Sequence, residues 1–164
     1  MTDWQINLVS TPGTLWARYA DAIGLDDMRG IYGKHWPPVA ARPGETVYCF
    51  RDPDKPAPVF SPTDHPDGWL SLTVDQFDPG IVHMSRGVWP DCHGRGLGKR
   101  MRSFAEGWAV AQGAMVLQVA IHHANQEHLR NVVEDPYWEL GGAVVAPIRY
   151  TIFFHRLHSD TKEE

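Results

Sequence analysis

The sequence predicts a mixed α/β fold in which a central sheet has helices on its faces. Segments with strand-like patterns alternate with segments whose apolar residues recur at helical spacing. The order is strand, helices, three strands, helix, strand, helix and final strands, with no internal repeat or low-complexity run. This order is typical of a sheet covered by helices. At 164 residues the chain is expected to form a single domain, residues 1–164.

The first half contains few regular elements. Residues 6–9 (INLV) predict a strand, and Thr11 is placed to cap a helix that presents Leu15, Tyr19 and Ile23 on one face. Residues 34–68 are rich in Pro, Gly and Asp, and only ETVYCF (45–50) within them indicates a strand. This segment predicts either an ordered surface excursion or a mobile lid.

The second half has clearer signals. WLSLTVDQF and IVHMSRGVW flank a DPG turn, in which Pro79 fixes φ and Gly80 tolerates positive φ, so a hairpin is predicted. A helix of about 14 residues should follow and end near Gly113. The remaining predicted elements are a strand over 114–121, a helix over 125–135 stopped by Pro136, and a hairpin formed by AVVAP and RYTIFFHRL.

Composition excludes several classes of protein. The net charge of −5 argues against a general nucleic-acid binder and is compatible with a cationic substrate such as an amine. No apolar run approaches the roughly 20 residues of a membrane span, and the N-terminus lacks the pattern of a signal peptide. A cytoplasmic location without membrane partners is therefore expected. The two cysteines, Cys49 and Cys92, leave a disulfide open.

A glycine-rich segment, WPDCHGRGLGKRM (89–101), lies between a predicted strand and a predicted helix. A P-loop needs G-x-x-x-x-G-K-S/T, but Gly94 and Gly98 are one residue too close and Arg100 replaces the hydroxyl residue. A Rossmann loop needs G-x-G-x-x-G, but Lys99 replaces the third glycine, and that loop normally follows the first strand. Both alternatives fail on spacing.

The pattern P-x-x-R/Q-x-x-G-x-G fits better, with Pro90, Gly96 and Gly98 in place and His93 at the Arg/Gln position. It resembles motif A of the GCN5-related N-acetyltransferases (GNATs). In such a loop, backbone N–H groups at a helix N-terminus point at a diphosphate, and the helix dipole favours the negative charge. Glycines let the backbone approach closely.

Further segments extend the resemblance over about residues 70–157. VLQVAIHHAN supplies the next strand and Asn125, and YWELGG places Tyr137 four residues before Gly141. Asn125 and Tyr137 are twelve residues apart, where the family has about seven. The resemblance implies a mostly antiparallel sheet with helices on both faces. It also implies a variable substrate-side half (1–68) and a cofactor-binding core (69–157).

The resemblance assigns candidate residues for binding acetyl-CoA. The backbone N–H near Gly87 and Val88 would polarise the thioester carbonyl, and Arg95, Lys99 and Arg100 would add positive charge. The candidate cofactor-binding residues are Arg86, Gly87, Val88, His93, Gly94, Arg95, Gly96, Leu97, Gly98, Lys99 and Asn125.

The resemblance also suggests catalytic residues. Tyr137, with an ordinary pKa of about 10, is the candidate acid for a departing thiolate of pKa near 8.5. Ala120 replaces the glutamate of some relatives, so His122, or His83 on the adjoining strand, is the candidate base through water. Cys92 is a weaker alternative as a nucleophile. The Cys and His residues lack metal-ligand spacing, so no metal is expected.

These observations predict an acetyl-CoA-dependent N-acetyltransferase that transfers the acetyl group directly to an amine in a ternary complex. The alternative is a non-catalytic acyl-CoA-binding sensor or adaptor domain. A nucleotide phosphotransferase would need a complete Walker loop, which is missing. The final strands are a candidate homodimer interface.

Overall fold

The computed structural model describes residues 3–24, 38, 40–54, 65–123, 125–144 and 150–157. Within these ranges the strands are β1 (Gln5–Leu8), β2 (Glu45–Arg51), β3 (Gly68–Val74), β4 (Ile81–Val88), β5 (Val116–His122), β6 (Glu139–Val144) and β7 (Tyr150–Arg156). The α-helices are α1 (Pro12–Ile23), α2 (Leu97–Ala111) and α3 (Gln126–Glu134). The predicted mixed α/β class is confirmed. Much of the Pro-rich 34–68 segment, including the choice between excursion and lid, lies outside the described residues.

The seven strands form one sheet in the order β1-β2-β3-β4-β5-β7-β6, and the sheet is mostly antiparallel. β1 pairs antiparallel with β2, and β7 pairs antiparallel with both β5 and β6. β4 and β5 are parallel, as the α2 connection between them requires. Their backbone pairing joins Ile81, Val82 and His83 to Val116, Leu117 and Gln118, although β4 continues to Val88.

The chain divides into two compact units, and the division passes within β3, β4 and α2. The first unit comprises Met1–Ser71 and Arg86–Met101. The second comprises Leu72–Ser85 and Arg102–Glu164. These bounds differ from the 68/69 boundary expected from sequence. The expectation of one domain stays a prediction.

Aromatic residues form the core of the first unit. Tyr19 packs edge-on against Trp69 and Trp89, with ring centroids 5.7 and 4.9 Å apart, and Trp16 packs against Trp69 in the same way at 5.9 Å. Such edge-to-face contacts add to the stabilisation from burial alone. The predicted apolar face of α1 is confirmed in part, because Tyr19 is buried while Leu15 and Ile23 are only partly buried. The pattern missed three further buried residues of this helix, Pro12, Trp16 and Ala20.

The core of the second unit follows the alternation of β5. Leu117, Val119 and Ile121 are buried, and the residues between them are half-buried or exposed. Val132 of α3, Trp138 and Phe153 of β7 are also buried. No helix of the described residues is both long and apolar enough to cross a membrane.

Three local predictions need correction. Thr11 occupies the N-cap position of α1, but its side chain makes no capping hydrogen bond. The connection between β3 and β4 is longer than the predicted DPG turn, because β3 ends at Val74. The side chain of Asp75 accepts hydrogen bonds from the N–H groups of Phe77 and Asp78. Gly80 does not adopt positive φ. The sequence left a disulfide open, and the structure joins neither Cys49 nor Cys92 in one.

Gly87 is required by the aromatic core. A Cβ at this position would lie 2.7 Å from Cζ of Tyr19 and 2.8 Å from Cε2 of Trp69. Gly87→Ala is therefore expected to lower the free energy of unfolding by about 1–3 kcal/mol, as overpacking does. Urea denaturation measures this. Gly107→Ala, on exposed α2 surface with nothing within 4 Å of the new Cβ, is the control and should be neutral or stabilising. Equal stability of Gly87→Ala and wild type would contradict the packing role.

Candidate functional site

The segment between β4 and α2 forms a loop with two glycines in the left-handed region. After Val88, residues Pro90–Cys92 form a short 3₁₀ turn, and α2 begins at Leu97. Gly94 and Gly96 have φ of 81° and 77°, values that favour glycine over any residue with a Cβ. Among the described residues, a Cβ at either glycine would meet nothing within 4 Å. The two Cβ positions are therefore unobstructed by the part of the chain that the structure describes.

The backbone N–H groups after Gly96 open a helix. The Arg100 N–H donates to the Gly96 carbonyl at 3.1 Å, as the first turn of α2 requires. The N–H groups of Leu97, Gly98 and Lys99 precede this bond, so they have no acceptor within the helix. Together with the helix dipole, these donors make the N-terminus of α2 suitable for an anionic group.

Two predicted cofactor residues donate side-chain hydrogen bonds to backbone carbonyls on either side of the loop. Nη1 of Arg86 donates to the carbonyl of Gly98 at 2.6 Å, and Nε2 of His93 donates to the carbonyl of Val88 at 3.1 Å. His93 therefore has a structural partner at the position where the GNAT pattern has Arg or Gln. Lys99 and Arg100 are exposed.

Arg95, between the two left-handed glycines, turns its side chain toward two carboxylates. Nη2 of Arg95 forms an ion pair with Oδ2 of Asp52, and Nη1 lies 4.0 Å from Oδ1 of Asp67. The guanidinium is also 5.1 Å from the ring centroid of Trp4. The hydrogen bond from Arg95 is the largest cause that lowers the pKa of Asp52. Direct contact of Arg95 with a phosphate stays a prediction.

The proposed carbonyl-polarising N–H of Val88 also has a partner. The hydroxyl oxygen of Tyr19 accepts a hydrogen bond from the Val88 backbone. Burial raises the pKa of Tyr19 to about 12, and this hydrogen bond acts in the opposite direction. The Tyr19 oxygen therefore already occupies the acceptor position of the Val88 N–H. The next N–H, that of Trp89, donates to the Asp67 carbonyl at 2.9 Å.

In the second unit, Tyr137 lies within a polar cluster. Its hydroxyl donates to Oε2 of Glu106 at 2.7 Å, and its ring stacks on His155 with centroids 3.7 Å apart. The guanidinium of Arg102 lies 4.0 Å from the ring centroid. Burial, then the hydrogen bond to Glu106, raises the pKa of Tyr137. As placed, the phenol is a weaker acid than an exposed tyrosine.

The end of α3 explains the long spacing before Tyr137. The helix stops at Glu134, as Pro136 predicted, and Asp135 follows as its C-cap. Oδ1 of Asp135 accepts from the Tyr137 N–H at 3.0 Å, while Oδ2 pairs with Arg102 at 2.7 Å. The tyrosine therefore lies in a turn after the helix.

The other predicted residues of the second unit have structural roles. Oδ1 of Asn125 accepts from the His128 N–H at 3.4 Å and caps α3. His122, the last residue of β5, is half-buried and lies opposite Tyr150. His83, the alternative base, is hydrogen-bonded to Asp75 of the hairpin turn at 2.7 Å. The cofactor role of Asn125 and the base role of His122 stay predictions.

Cys92, the alternative nucleophile, is the last residue of the 3₁₀ turn that precedes the two left-handed glycines. Cys92 is fully buried, and its thiol donates to Oδ1 of Asp67 at 2.8 Å, which does not favour the nucleophile alternative. Across the described ranges, no three His, Cys, Asp or Glu side chains converge on a position for a metal ion.

Comparison of structures identifies the fold as that of the GNAT acetyltransferases. The nourseothricin acetyltransferase structure matches with a TM-score of 0.62 at 12% identity, over 96% of this chain and 100% of that one. The N-acetyltransferase from Staphylococcus aureus Mu50 matches at 0.62 and 13% identity, over 96% and 100% of the two chains. YncA from Salmonella typhimurium, solved with its cofactor acetyl-CoA, matches at 0.59 and 15% identity, over 99% of each. No protein-family profile and no curated sequence matches the chain.

Proposed function

We propose that the chain is an acetyl-CoA-dependent N-acetyltransferase that transfers the acetyl group directly to an amine. The loop carries this proposal: it has two left-handed glycines with unobstructed Cβ positions among the described residues, and the first N–H groups of α2 have no acceptor within the helix. These features suit the diphosphate of coenzyme A, and the GNAT fold of the structural neighbours supports the same ligand. The N–H groups of Leu97, Gly98 and Lys99 would hold the phosphates.

The proposed reaction forms one bond and breaks one. The amine nitrogen attacks the thioester carbonyl carbon, the C–S bond breaks, and the amine proton passes to His122 through water. The Val88 N–H polarises the carbonyl oxygen, and Tyr137 protonates the departing thiolate. For these roles, the thioester must replace Tyr19 at the Val88 N–H, and the sulfur must replace Glu106 at the Tyr137 hydroxyl.

An acyl-CoA sensor without catalytic activity is the second candidate. The Val88 N–H and the Tyr137 hydroxyl, which the reaction would use, are both hydrogen-bonded to other side chains. Incubating the protein with acetyl-CoA and a panel of amines, and measuring the release of free thiol, separates the two functions. Release that depends on the amine supports the transferase. Binding of acetyl-CoA without release on any amine supports the sensor, and no binding excludes both.

Tyr19→Phe tests the role of the Val88 N–H. Removal of the hydroxyl leaves this N–H without its side-chain acceptor, so the thioester carbonyl no longer competes for it. We expect kcat/KM for acetyl-CoA to rise about 3- to 10-fold, the value of one ordinary hydrogen bond. Steady-state kinetics at a saturating amine concentration measures this. An unchanged or lower kcat/KM in a folded variant would remove Val88 from the reaction.

A further inference from the structure

We propose that Arg95 positions the diphosphate-binding loop through Asp52 and Asp67, rather than binding a phosphate itself. These three residues are called the loop clamp. The inference rests on the proposed function of the loop. It changes the expected role of Arg95, whose positive charge next to Gly94 and Gly96 suggests a phosphate ligand.

The clamp joins the middle of the loop to two strands of the sheet. Asp52 directly follows β2, and Asp67 directly precedes β3. Because Gly94 and Gly96 both have positive φ, the backbone turns sharply on each side of Arg95. The side chain of Arg95 reaches back to Asp52, while a Cβ on either flanking glycine would meet no described residue within 4 Å. The ion pair therefore holds the loop at its centre.

Asp67 is a rigid support for this ion pair. It is fully buried, and its Oδ2 accepts from the Asp52 N–H at 2.6 Å. Its backbone N–H donates to the Phe50 carbonyl at 2.8 Å, and its carbonyl accepts from Trp89 at 2.9 Å. A fully buried carboxylate is stable only with hydrogen bonds or a positive charge nearby. Arg95 supplies the charge, and Cys92 supplies a further hydrogen bond.

The charges of the clamp show why Arg95 is a poor phosphate ligand. One guanidinium faces two carboxylates, so the clamp has a formal charge of −1. The side chain of Arg95 retains 34% of its exposure, and that of Asp52 retains 8%. Turning Arg95 toward a phosphate would take this guanidinium away from both carboxylates and place an anionic ligand beside them. The positive charge of Arg95 thus stabilises the loop, and it also reduces the repulsion between the two carboxylates and the diphosphate.

Asp52→Asn distinguishes loop positioning by Arg95 from direct phosphate contact, because the two roles predict opposite changes in CoA affinity. If Arg95 contacts phosphate directly, loss of the Asp52 charge releases the guanidinium, and CoA should bind equally well or more tightly. If the clamp positions the loop, the variant should bind CoA about 10- to 100-fold more weakly, as expected for loss of a charge-assisted hydrogen bond. Titration calorimetry with CoA measures the Kd. Asp54→Asn, which removes the same charge from an exposed neighbour, should bind as the wild type does.

A truncated thioester distinguishes loop positioning from general damage. S-acetyl-N-acetylcysteamine has the reacting thioester but no diphosphate. The clamp predicts that Asp52→Asn raises KM for acetyl-CoA while leaving kcat/KM for the truncated thioester unchanged. Equal losses with both thioesters would show a merely structural effect and overturn the proposal.

Arg95→Lys keeps the test decisive if Asp52→Asn does not fold. Lysine retains the positive charge, so a side chain that only contacts a phosphate should tolerate the change. Lysine lacks the planar guanidinium fork that contacts two carboxylates, so the clamp should not tolerate it. We expect weaker CoA binding with an unchanged truncated reaction. Wild-type affinity in a folded Arg95→Lys variant would overturn the clamp. Absence of CoA binding by the wild-type chain would instead overturn the proposed function.

Discussion

Gly96→Val is expected to weaken CoA binding by about 100-fold or more while the chain stays folded. Gly96 has a φ of 77°, and a β-branched residue is a severe outlier there, with a backbone cost of about 1–2 kcal/mol. Apart from its chain neighbours, no described residue lies within 4 Å of the new Cβ, so the fold should accommodate the side chain. We expect the valine side chain to obstruct the approach of the diphosphate to the loop backbone. Titration calorimetry with CoA and thermal unfolding measure the two effects.

Gly113→Val is the matched control for Gly96→Val. Gly113 follows the other end of α2, has a φ of 81°, and likewise has nothing within 4 Å of an added Cβ. Both variants should therefore lose similar stability, but only Gly96→Val should lose CoA affinity. If the two variants bind CoA equally well, the loop is not the diphosphate site.

Tyr137→Phe is expected to lower kcat by about 100-fold or more while leaving the Kd for CoA nearly unchanged. Removal of a general acid typically costs a factor of 10² to 10⁴. The phenyl ring can keep its stacking on His155 and its contact with Arg102, so the fold should be retained. Single-turnover kinetics with saturating acetyl-CoA and amine measure the chemical step. Wild-type turnover in this variant would reject Tyr137 as the acid.

Glu106→Gln tests the same assignment from the partner's side. The glutamate raises the pKa of Tyr137 through its hydrogen bond and its charge, so the amide should bring this pKa closer to its ordinary value. A better matched acid should then maintain or raise kcat. If both Tyr137→Phe and Glu106→Gln change only the thermal stability, the cluster around Tyr137 is structural and the sensor function gains support.

Most of the fold could be predicted because its signals are local. The DPG turn predicted the hairpin of β3 and β4, and Pro136 predicted the end of α3. The spacing of Pro90, Gly96 and Gly98 predicted a loop between a strand and a helix. Each of these features depends on the φ preferences or hydrogen bonds of residues within a few positions. The structure added that Gly94 and Gly96 have the left-handed conformation.

The partners of the site residues could not be predicted in this way. Arg95 and Asp52 are 43 residues apart, and Tyr137 and Glu106 are 31 apart. No periodic pattern links such pairs, because they meet only when the sheet order is formed. Tyr19 looked like an ordinary residue of the apolar face of α1, since its helix spacing says nothing about the Val88 N–H. A helical spacing of apolar residues predicts that Tyr19 is buried, but it does not predict which polar group the Tyr19 hydroxyl contacts.

The central claim is that the N–H groups at the start of α2 bind the diphosphate of coenzyme A. Amide chemical shifts followed by NMR during a CoA titration test this most directly. We expect saturable shifts of the amides of residues 94–99 with CoA, and no comparable shifts of these amides with pantetheine, which lacks the diphosphate. Unchanged amides in this segment at saturating CoA, or equal shifts with pantetheine, would contradict it.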